Sequence, residues 1–241
     1  MKVYFIGAGP GDPELVTVKG LKIIKQSGYC IYAGSLVNPE LLKSLPADAK
    51  AYDSSRMSLE DMVVVYKEAM EHNMDVARVH SGDPSIYGAI QEQMHALDKL
   101  GITYEIIPGV SSFVAAAAVL QQELTLPGVT QTIVITRMEG KTPIPEKEHL
   151  SVLATATPTL CIFLSIDKIE EISKTLLPHY GQDCPVAVVY KATWPDQKII
   201  STKLSDITEA VKREAIKKSA LIIVGWMLGK EFTRSVLYSQ R

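Results

Sequence analysis

The fold prediction starts from the stretch Val3-Tyr-Phe-Ile-Gly-Ala-Gly-Pro-Gly-Asp-Pro-Glu14. Its apolar run at 3–6 predicts a buried strand, and the glycines and prolines at 7–13 predict a tight turn. An apolar periodic segment near Leu15 then predicts a helix. A strand, a glycine-rich turn and a helix in this order bring backbone N–H groups close to a ligand.

The turn fits neither of the two common phosphate-binding fingerprints. A dinucleotide fingerprint requires Gly-x-Gly-x-x-Gly, but counting from Gly7 puts Asp12 at the last position. No acidic residue ends the next apolar run, 30–33, so the ribose-binding carboxylate of that fingerprint is also missing. A P-loop would need a lysine where Asp12 stands, and a carboxylate repels a phosphate. We therefore expect a ligand other than a nucleotide phosphate, and a tight turn that binds nothing is the alternative.

The composition is that of a globular protein with no electrostatic preference for a polyanion. Of the 241 residues, 46% are hydrophobic and 22% are charged, and the net charge is −2. So small a charge gives no footprint for nucleic acid or for an anionic membrane. No apolar run approaches the roughly 20 residues that span a bilayer, and the N-terminus enters a strand directly. We therefore expect a cytoplasmic protein.

The three cysteines, Cys30, Cys161 and Cys184, are flanked by apolar residues or proline, and no two of them form a Cys-x-x-Cys pair. An odd and scattered set predicts neither a disulfide framework nor a structural zinc site. We expect all three to be small buried hydrophobic side chains. No histidine pair has ligand spacing either, so we expect no protein-bound metal.

Strand and helix patterns alternate along the chain and predict an α/β fold made of two α/β domains. We expect a mostly parallel sheet in the first domain, 1–123, then a linker at 124–130. The second domain, 131–241, should have a mixed sheet because 191–196 resembles a hairpin connection. The predicted strands are 3–6, 29–32, 49–52, 76–79, 104–107, 132–136, 160–164, 186–190, 198–201 and 221–224. The predicted helices are 58–71, 91–100, 111–120, 146–154, 168–177 and 204–214. We expect the active site in the cleft between the two domains.

Three loops of the first domain, 7–13, 80–88 and 108–112, follow predicted strands and are rich in glycine, proline and polar residues. Ligands of open α/β sheets bind beyond the carboxyl ends of the strands, so these loops together indicate a binding site. Asp83 either accepts hydrogen bonds from a ligand or caps a helix that begins directly after it. His80 is either a structural, hydrogen-bonded residue or a proton shuttle.

The three loops carry the motifs Gly7-Ala-Gly-Pro-Gly-Asp-Pro-Glu-Leu15, Gly82-Asp-Pro-Ser-Ile-Tyr-Gly88 and Pro108-Gly-Val-Ser-Ser112. These motifs resemble the signature loops of the tetrapyrrole methylase family, and the similarity continues through 159–164 and 185–191 to 220–225. Four further stretches resemble the branch of that family that methylates C11 of precorrin-4 or cobalt-precorrin-4. They are 32–37, 88–93, 123–129 and 136–140, the last with Arg-Met-Glu where several relatives carry Thr-Gly-His. That branch usually continues with aromatic and basic residues beyond the point where this sequence stops at Arg241.

The resemblance implies S-adenosylmethionine as the methyl donor, with S-adenosylhomocysteine as its product, and a homodimer. The donor would be folded between the two domains, with the substrate on the side of the first domain. The implied donor contacts are Pro10, Gly82, Asp83, Ile86, Ser111, Ser112, Met138, Leu164 and Ala187. The expected substrate contacts are Gly9, Gly11, Asp12, Arg56, Tyr87 and Arg137. Asp12 is also the candidate general base because it lies in the loop assigned to the substrate, with a purely structural Asp12 as the alternative.

Three other functions remain open at this point. A sibling enzyme of the family would methylate another ring position, as in precorrin-2 or uroporphyrinogen III. An RNA 2′-O-ribose methyltransferase on the same architecture is disfavoured by the near-neutral charge. A tetrapyrrole carrier without catalytic activity would not bind S-adenosylmethionine.

Overall fold

The computed structural model describes residues 1–229 and Ser235, so the expectation about the end of the chain at Arg241 lies outside the described residues. Contacts within the chain divide it into two units, Met1–Ser112 and Phe113–Arg241. This division falls earlier in the sequence than the linker predicted at 124–130. The predicted α/β class is confirmed, since one unit has a parallel sheet and the other has a mixed sheet.

The first unit is built on a sheet of five strands in the order β3-β2-β4-β1-β5, in which every neighbouring pair is parallel. The strands are β1 (Lys2–Gly7), β2 (Tyr29–Tyr32), β3 (Lys50–Asp53), β4 (Val76–His80) and β5 (Thr103–Ile107). The helices are α1 (Val18–Ile24), α2 (Pro39–Leu42), α3 (Leu59–Glu71) and α4 (Ile90–Lys99). Since all five strands run in one direction, the loops that follow them lie along a single edge of the sheet.

Both faces of this sheet are covered by helices. One apolar cluster joins strand residues such as Phe5 to Tyr66 of α3 and Leu97 of α4. A second cluster joins strand residues on the other face to Ile24 of α1 and Leu41 of α2. The helix α3 begins with a capping box: the N–H of Ser58 donates to the Asp61 carboxylate, and the N–H of Asp61 donates to the Ser58 hydroxyl.

The helix expected near Leu15 begins later than predicted, at Val18. Residues Pro13–Leu15 form a 3-10 turn instead, whose first free N–H, that of Glu14, donates to the Asp12 carboxylate at 2.9 Å. The Thr17 hydroxyl then caps α1 by accepting the N–H of Gly20 at 3.1 Å. Two local caps in succession therefore separate the glycine-rich turn from the helix.

The second unit is built on a five-stranded sheet in the order β6-β7-β10-β8-β9. Its strands are β6 (Ile133–Arg137), β7 (Thr159–Phe163), β8 (Pro185–Tyr190), β9 (Lys198–Lys203) and β10 (Ala220–Val224). Its helices are α5 (Ser112–Leu120), α6 (Leu150–Leu153), α7 (Ile169–Tyr180) and α8 (Ile207–Arg213). The pair β6 and β7 is parallel and the other three pairs are antiparallel, which confirms the predicted hairpin between β8 and β9.

Helices cover both faces of the second sheet as well. The larger apolar cluster joins the sheet to α6, α7 and α8, and the smaller one joins it to Ala115, Ala116 and Ala117 of α5. The helix predicted over 146–154 is broken into a 3-10 turn and α6, because His149 between them has an extended backbone. In the described part of the chain, no helix is long and apolar enough to cross a membrane.

The three cysteines are buried without disulfide partners, as predicted. Burial raises the pKa of each thiol to about 12. A thiol that stays protonated in this way is a poor nucleophile, so none of the three is suited to covalent catalysis.

Candidate active site

Three glycines bring the loops after β1, β4 and β5 into backbone contact. A Cβ added to Gly7 would lie 2.5 Å from the Cα of Gly109 and 2.6 Å from the carbonyl oxygen of Gly82. A Cβ added to Gly109 would lie 2.2 Å from that same oxygen. Every one of these contacts is with backbone, so no side-chain movement could make room. The sequence requires glycine here because the loops pack on each other.

The first two loops are also joined by a pair of backbone hydrogen bonds. The N–H of Gly9 donates to the carbonyl of Gly82 at 3.3 Å, and the N–H of Gly82 donates to the carbonyl of Gly9 at 2.7 Å. Both residues have positive φ, +79° for Gly9 and +63° for Gly82. The two predicted contact residues therefore lie side by side at the edge of the sheet.

Asp83 ties the second loop to the third. One carboxylate oxygen accepts the N–H of Ser85 and the other accepts the N–H of Gly109, each at 2.8 Å. The expected helix directly after Asp83 is absent: residues 84–87 form a turn, and α4 begins only at Ile90. Asp83 therefore caps a turn and holds a neighbouring loop, and each of its oxygens accepts one backbone N–H.

The rest of the second loop has an unusual backbone. Tyr87 has a φ of +55° and Ala89 has a φ of +48°, although neither is a glycine. The carbonyl of Ala89 accepts the side-chain amide of Gln93 at 3.1 Å, which fixes the loop to α4. Tyr87 as a residue is 44% exposed, so this predicted substrate contact is held at the surface and not in the core.

A buried polar network lies beneath this loop. The side-chain oxygen of Gln93 accepts both the Nε–H of Arg78 at 2.9 Å and the hydroxyl of Tyr66 at 3.0 Å. Arg78 also donates to the carbonyls of Ile31 and Val79, and among the described residues it forms no ion pair with a carboxylate. Loss of water lowers the pKa of this guanidinium. A cation is thus kept in the protein interior by neutral oxygen acceptors.

His80 ends β4 and is buried next to this network. Burial, with a smaller effect of the Arg78 charge, lowers the pKa of His80 to about 3. Its Nε2 atom is buried and has no hydrogen-bond partner among the described residues. His80 is therefore neutral at physiological pH, which makes it a poor proton shuttle. Its burial agrees with a structural role, but the hydrogen bond expected of that role is absent at Nε2 among the described residues.

The remaining predicted residues of the first unit lie along the same edge of the sheet. Gly11 and Pro10 are buried, and the Gly11 carbonyl accepts the side-chain amide of Asn38 at 2.8 Å, which joins the loop after β1 to the start of α2. Arg56 is exposed in a 3-10 turn, Ser54–Arg56, after the outermost strand β3. It is two strands away from the glycine contact, which is centred on β4 and β1.

Ser111 and Ser112 lie where the third loop enters α5. Ser111 is buried, whereas Ser112 is partly exposed and is the first residue of the nine-residue helix. The backbone N–H groups of a helix's first turn lack partners within the helix, so they are available to a carboxylate. Ile86, in the second loop, is also partly exposed.

In the second unit, the loops after β6 and β7 are held to each other by side chains. The Ser165 hydroxyl accepts the N–H of Met138 at 2.8 Å and donates to the carbonyl of Phe163 at 2.6 Å. The ammonium of Lys168 donates to the carbonyl of Glu139. Met138 and Leu164, two predicted donor contacts, are therefore next to each other at the carboxyl edge of β6 and β7.

The guanidinium of Arg137 is engaged by its own loop. It donates to the carbonyls of Met138, Thr142 and Pro143 at 3.1–3.2 Å.

Ala187 differs from Met138 and Leu164 in position, because it lies within β8, three residues before its end, and is 1% exposed. Among the described residues, no group of three His, Cys, Asp or Glu side chains is arranged as metal ligands are.

Sequence reasoning missed the residues that hold these loops in place. Asn38 could have been noticed, since an asparagine before Pro39-Glu40 is an N-cap signal, and it does cap α2. Ser165 and Gln93 carry no such local signal, because their partners lie 27 and 15 residues away.

Comparisons with known proteins agree on one family. The model for "Tetrapyrrole (Corrin/Porphyrin) Methylases" matches residues 2–208. The chain is 52% identical to the cobalt-precorrin-4 C(11)-methyltransferase of Methanocaldococcus jannaschii, covering 99% of this chain and 93% of the relative. It is 49% identical to the precorrin-4 C(11)-methyltransferase of Pseudomonas aeruginosa, covering 99% of this chain and 95% of the relative.

Solved structures of similar proteins give the same result. The X-ray structure of a cobalamin biosynthetic enzyme, cobalt precorrin-4 methyltransferase, superposes with a TM-score of 0.92 at 46% identity, covering 94% of this chain and 95% of that one. The uroporphyrin-III C-methyl transferase of Thermus thermophilus complexed with S-adenyl homocysteine has a TM-score of 0.79 at 26% identity, covering 95% of this chain and 94% of that one.

Proposed function

Because the chain belongs to the tetrapyrrole (corrin/porphyrin) methylase family, we propose that it transfers a methyl group from S-adenosylmethionine to C11 of precorrin-4 or cobalt-precorrin-4. The product would be precorrin-5 or its cobalt form, within cobalamin biosynthesis. The observation that carries this proposal is the identity of 52% and 49%, over 99% of the chain, to two C(11)-methyltransferases. One of these is named for the cobalt form of the substrate and the other for the metal-free form. The macrocycle would hold the cobalt, so it belongs to the substrate and we propose no protein-bound metal.

The residues proposed to hold the methyl donor are those that the family resemblance implies. Gly82, Asp83, Ile86, Ser111 and Ser112 come from the first unit, with Pro10 beside them. Met138, Leu164 and Ala187 come from the second unit. Leu164 supports the fit: its apolar side chain is 71% exposed and its φ is +52°, so neither core packing nor backbone preference explains it. Contact with an adenosyl group or a thioether would account for the exposure of this side chain.

In this proposal the protein acts mainly by positioning the methyl donor and the macrocycle, and it supplies few reactive groups of its own. The bound donor supplies a methyl group that is already activated for in-line displacement by a ring carbon. The glycine contact and the Asp83 hydrogen bonds fix the loops before any ligand binds, so little freedom is lost on binding. Holding two reactants in a productive geometry can lower a barrier by roughly 7–11 kcal/mol. Apolar and backbone surfaces at the site would also exclude water.

For the macrocycle we propose contacts with Gly9, Gly11, Asp12, Tyr87, Arg56 and Arg137. Corrinoid precursors carry many carboxylates, which suits an exposed Arg56 and a partly exposed Arg137. The present bonds of Arg137 to its own loop are all made to neutral carbonyls, so a carboxylate would compete well for it.

The homodimer and the cytoplasmic location expected from the sequence belong to the same proposal. Light scattering coupled to size-exclusion chromatography tests the first, and cell fractionation tests the second.

The decisive experiment offers the purified protein S-adenosylmethionine with a ¹³C-labelled methyl group and a panel of tetrapyrroles. The panel contains precorrin-4, cobalt-precorrin-4, precorrin-2 and uroporphyrinogen III. We expect a new methyl resonance at C11 with the first two and none with the others. A methyl group at another carbon would identify a sibling activity, and binding of the macrocycles without transfer would favour a carrier.

A further inference from the structure

Leu164 has a conformation that its own side chain does not favour. Its φ of +52° is in the left-handed region, which costs a residue with a Cβ, and its side chain is 71% exposed. Such a conformation persists only where the surrounding structure imposes it. The hydrogen bonds of its neighbours in the chain show what imposes this φ.

Ser165 supplies that cause. Its hydroxyl donates to the carbonyl of Phe163 at 2.6 Å, which closes a short ring around the intervening Leu164. The carbonyl of Ser165 accepts the N–H of Lys168 at 3.0 Å and starts the following 3-10 turn. Ser165 is 1% exposed, so water does not compete for these bonds. The backbone on both sides of Leu164 is therefore fixed by one residue.

The same hydroxyl also sets the neighbouring loop. It accepts the N–H of Met138 at 2.8 Å, directly after β6 ends at Arg137. In the sheet, Arg137 pairs with Phe163, so the two loops start side by side and a single hydroxyl can reach both. The oxygen acts as donor in one bond and acceptor in the other, which a serine can do and an alanine cannot.

We infer that Ser165 is a positioning residue for the methyl donor: it presents the Leu164 side chain and the Met138 backbone to S-adenosylmethionine without touching it. This inference rests on the proposed function, because it takes Leu164 and Met138 as donor contacts. One buried hydroxyl would thus set the conformation of both loops that contain Met138 and Leu164.

The test compares Ser165→Ala with a matched control, Ser173→Ala. Ser173, about one turn into α7, is in the same unit and is also buried, and its hydroxyl donates to the carbonyl of Leu204 at 2.9 Å, which is outside the loops after β6 and β7. Both variants lose a buried hydroxyl, so their melting temperatures give the common structural cost. Calorimetric titration with S-adenosylhomocysteine measures the donor site without any catalysis.

We expect Ser165→Ala to raise the dissociation constant of S-adenosylhomocysteine at least tenfold, and Ser173→Ala to change it less than twofold. Amide hydrogen exchange of Met138 in the ligand-free protein should become faster only in Ser165→Ala. In turnover assays, KM for S-adenosylmethionine should rise more than kcat falls. Ser165→Thr, which keeps the hydroxyl, should recover part of the affinity.

Leu164→Gly is a second, independent variant, since glycine accepts a φ of +52° without strain. It should melt no lower than wild type and still bind S-adenosylhomocysteine more weakly. The inference is overturned if the wild type binds S-adenosylhomocysteine and Ser165→Ala binds it equally well, or if both serine variants weaken binding alike. A wild-type protein that binds none would instead contradict the proposed function.

Discussion

The carboxylate of Asp83 accepts the backbone N–H of Gly109 at 2.8 Å, across 26 residues of sequence. The other oxygen of the same carboxylate accepts the N–H of Ser85. One side chain therefore fixes the internal shape of the loop after β4 and also its distance from the loop after β5. Both loops contain residues proposed to hold the methyl donor.

We predict that Asp83→Asn destabilises the protein by about 1–3 kcal/mol, because an amide nitrogen would face one of the two N–H donors and leave it without an acceptor. Urea unfolding at pH 7 measures the loss. Asp53→Asn is the control: Asp53 bonds the N–H and the hydroxyl of the single residue Ser55 within one local turn and links no second loop, so its cost should be smaller than that of Asp83→Asn. Equal losses in the two variants would contradict the linking role of Asp83.

Gly109→Ala adds one methyl group and should be among the most destabilising glycine-to-alanine substitutions in the first unit. The new Cβ would lie 2.2 Å from the carbonyl of Gly82 and 2.7 Å from the Cα of Gly7, and neither can move without shifting a strand end. We expect a loss of about 3 kcal/mol or more, at the upper end for overpacking. Gly140→Ala, where a Cβ would meet nothing within 4 Å, is the matched control and should change stability by less than about 0.5 kcal/mol. A Gly109→Ala protein that unfolds at the wild-type urea concentration would disprove the contact.

Most strands were predictable from the sequence because they contain a short apolar run, usually with glycine, proline or a charged residue near at least one end. Their observed limits differ from the predicted ones by only one or two residues, as in β1 and β4. The helix starts were less evenly predictable: α4 begins at Ile90, one residue before its predicted start, whereas the cap at Thr17 delays α1 to Val18 and a turn at 84–87 replaces the helix considered directly after Asp83. Local hydrogen bonding of this kind competes with helix formation and leaves no trace in the apolar periodicity.

The pattern of apolar residues in the sequence did not predict which of the two sheets α5 covers. The sequence places this alanine-rich helix before the linker at 124–130, whereas its Ala115, Ala116 and Ala117 pack with residues of the second unit such as Cys161 and Leu221. Which sheet a helix covers is decided by tertiary packing, and small apolar side chains are compatible with either. Ser165 could not be found for a related reason, because its bond to Met138 depends on the pairing of β6 with β7.

We predict that His80 makes stability fall with acid between pH 6.5 and about 3. Its pKa is lowered from 6.5 to about 3 in the folded protein, so the unfolded chain binds a proton in this range and the native state does not. The stability contribution is complete above pH 6.5 and is lost by up to about 1.4 kcal/mol per pH unit as the pH falls. His80→Leu should remove this slope at little cost at pH 7, since Nε2 has no partner to lose among the described residues. Thermal unfolding measured in steps from pH 7 to pH 4 tests the prediction, with exposed His95→Leu as the control that keeps the slope. An unchanged slope in His80→Leu would assign the acid sensitivity to other groups.

For Asp12, a catalytic role and a structural role predict different effects of substitution on turnover and on stability. Its carboxylate accepts the N–H of Glu14 at 2.9 Å and so caps the turn Pro13–Leu15 in the loop proposed to face the macrocycle. Asn keeps an oxygen for this bond, so Asp12→Asn should fold normally, whereas Asp12→Ala should lose about 1 kcal/mol of stability. If Asp12 only positions substrate, Asp12→Asn lowers kcat by less than about 100-fold, because asparagine cannot accept a proton but can still hold the loop. Single-turnover rates with labelled S-adenosylmethionine, measured beside the dissociation constant of the macrocycle, separate the two roles. A loss greater than about 100-fold in Asp12→Asn with unchanged binding would make Asp12 the acid–base residue, and a loss in Asp12→Ala alone, in step with its lower stability, would make it a cap alone.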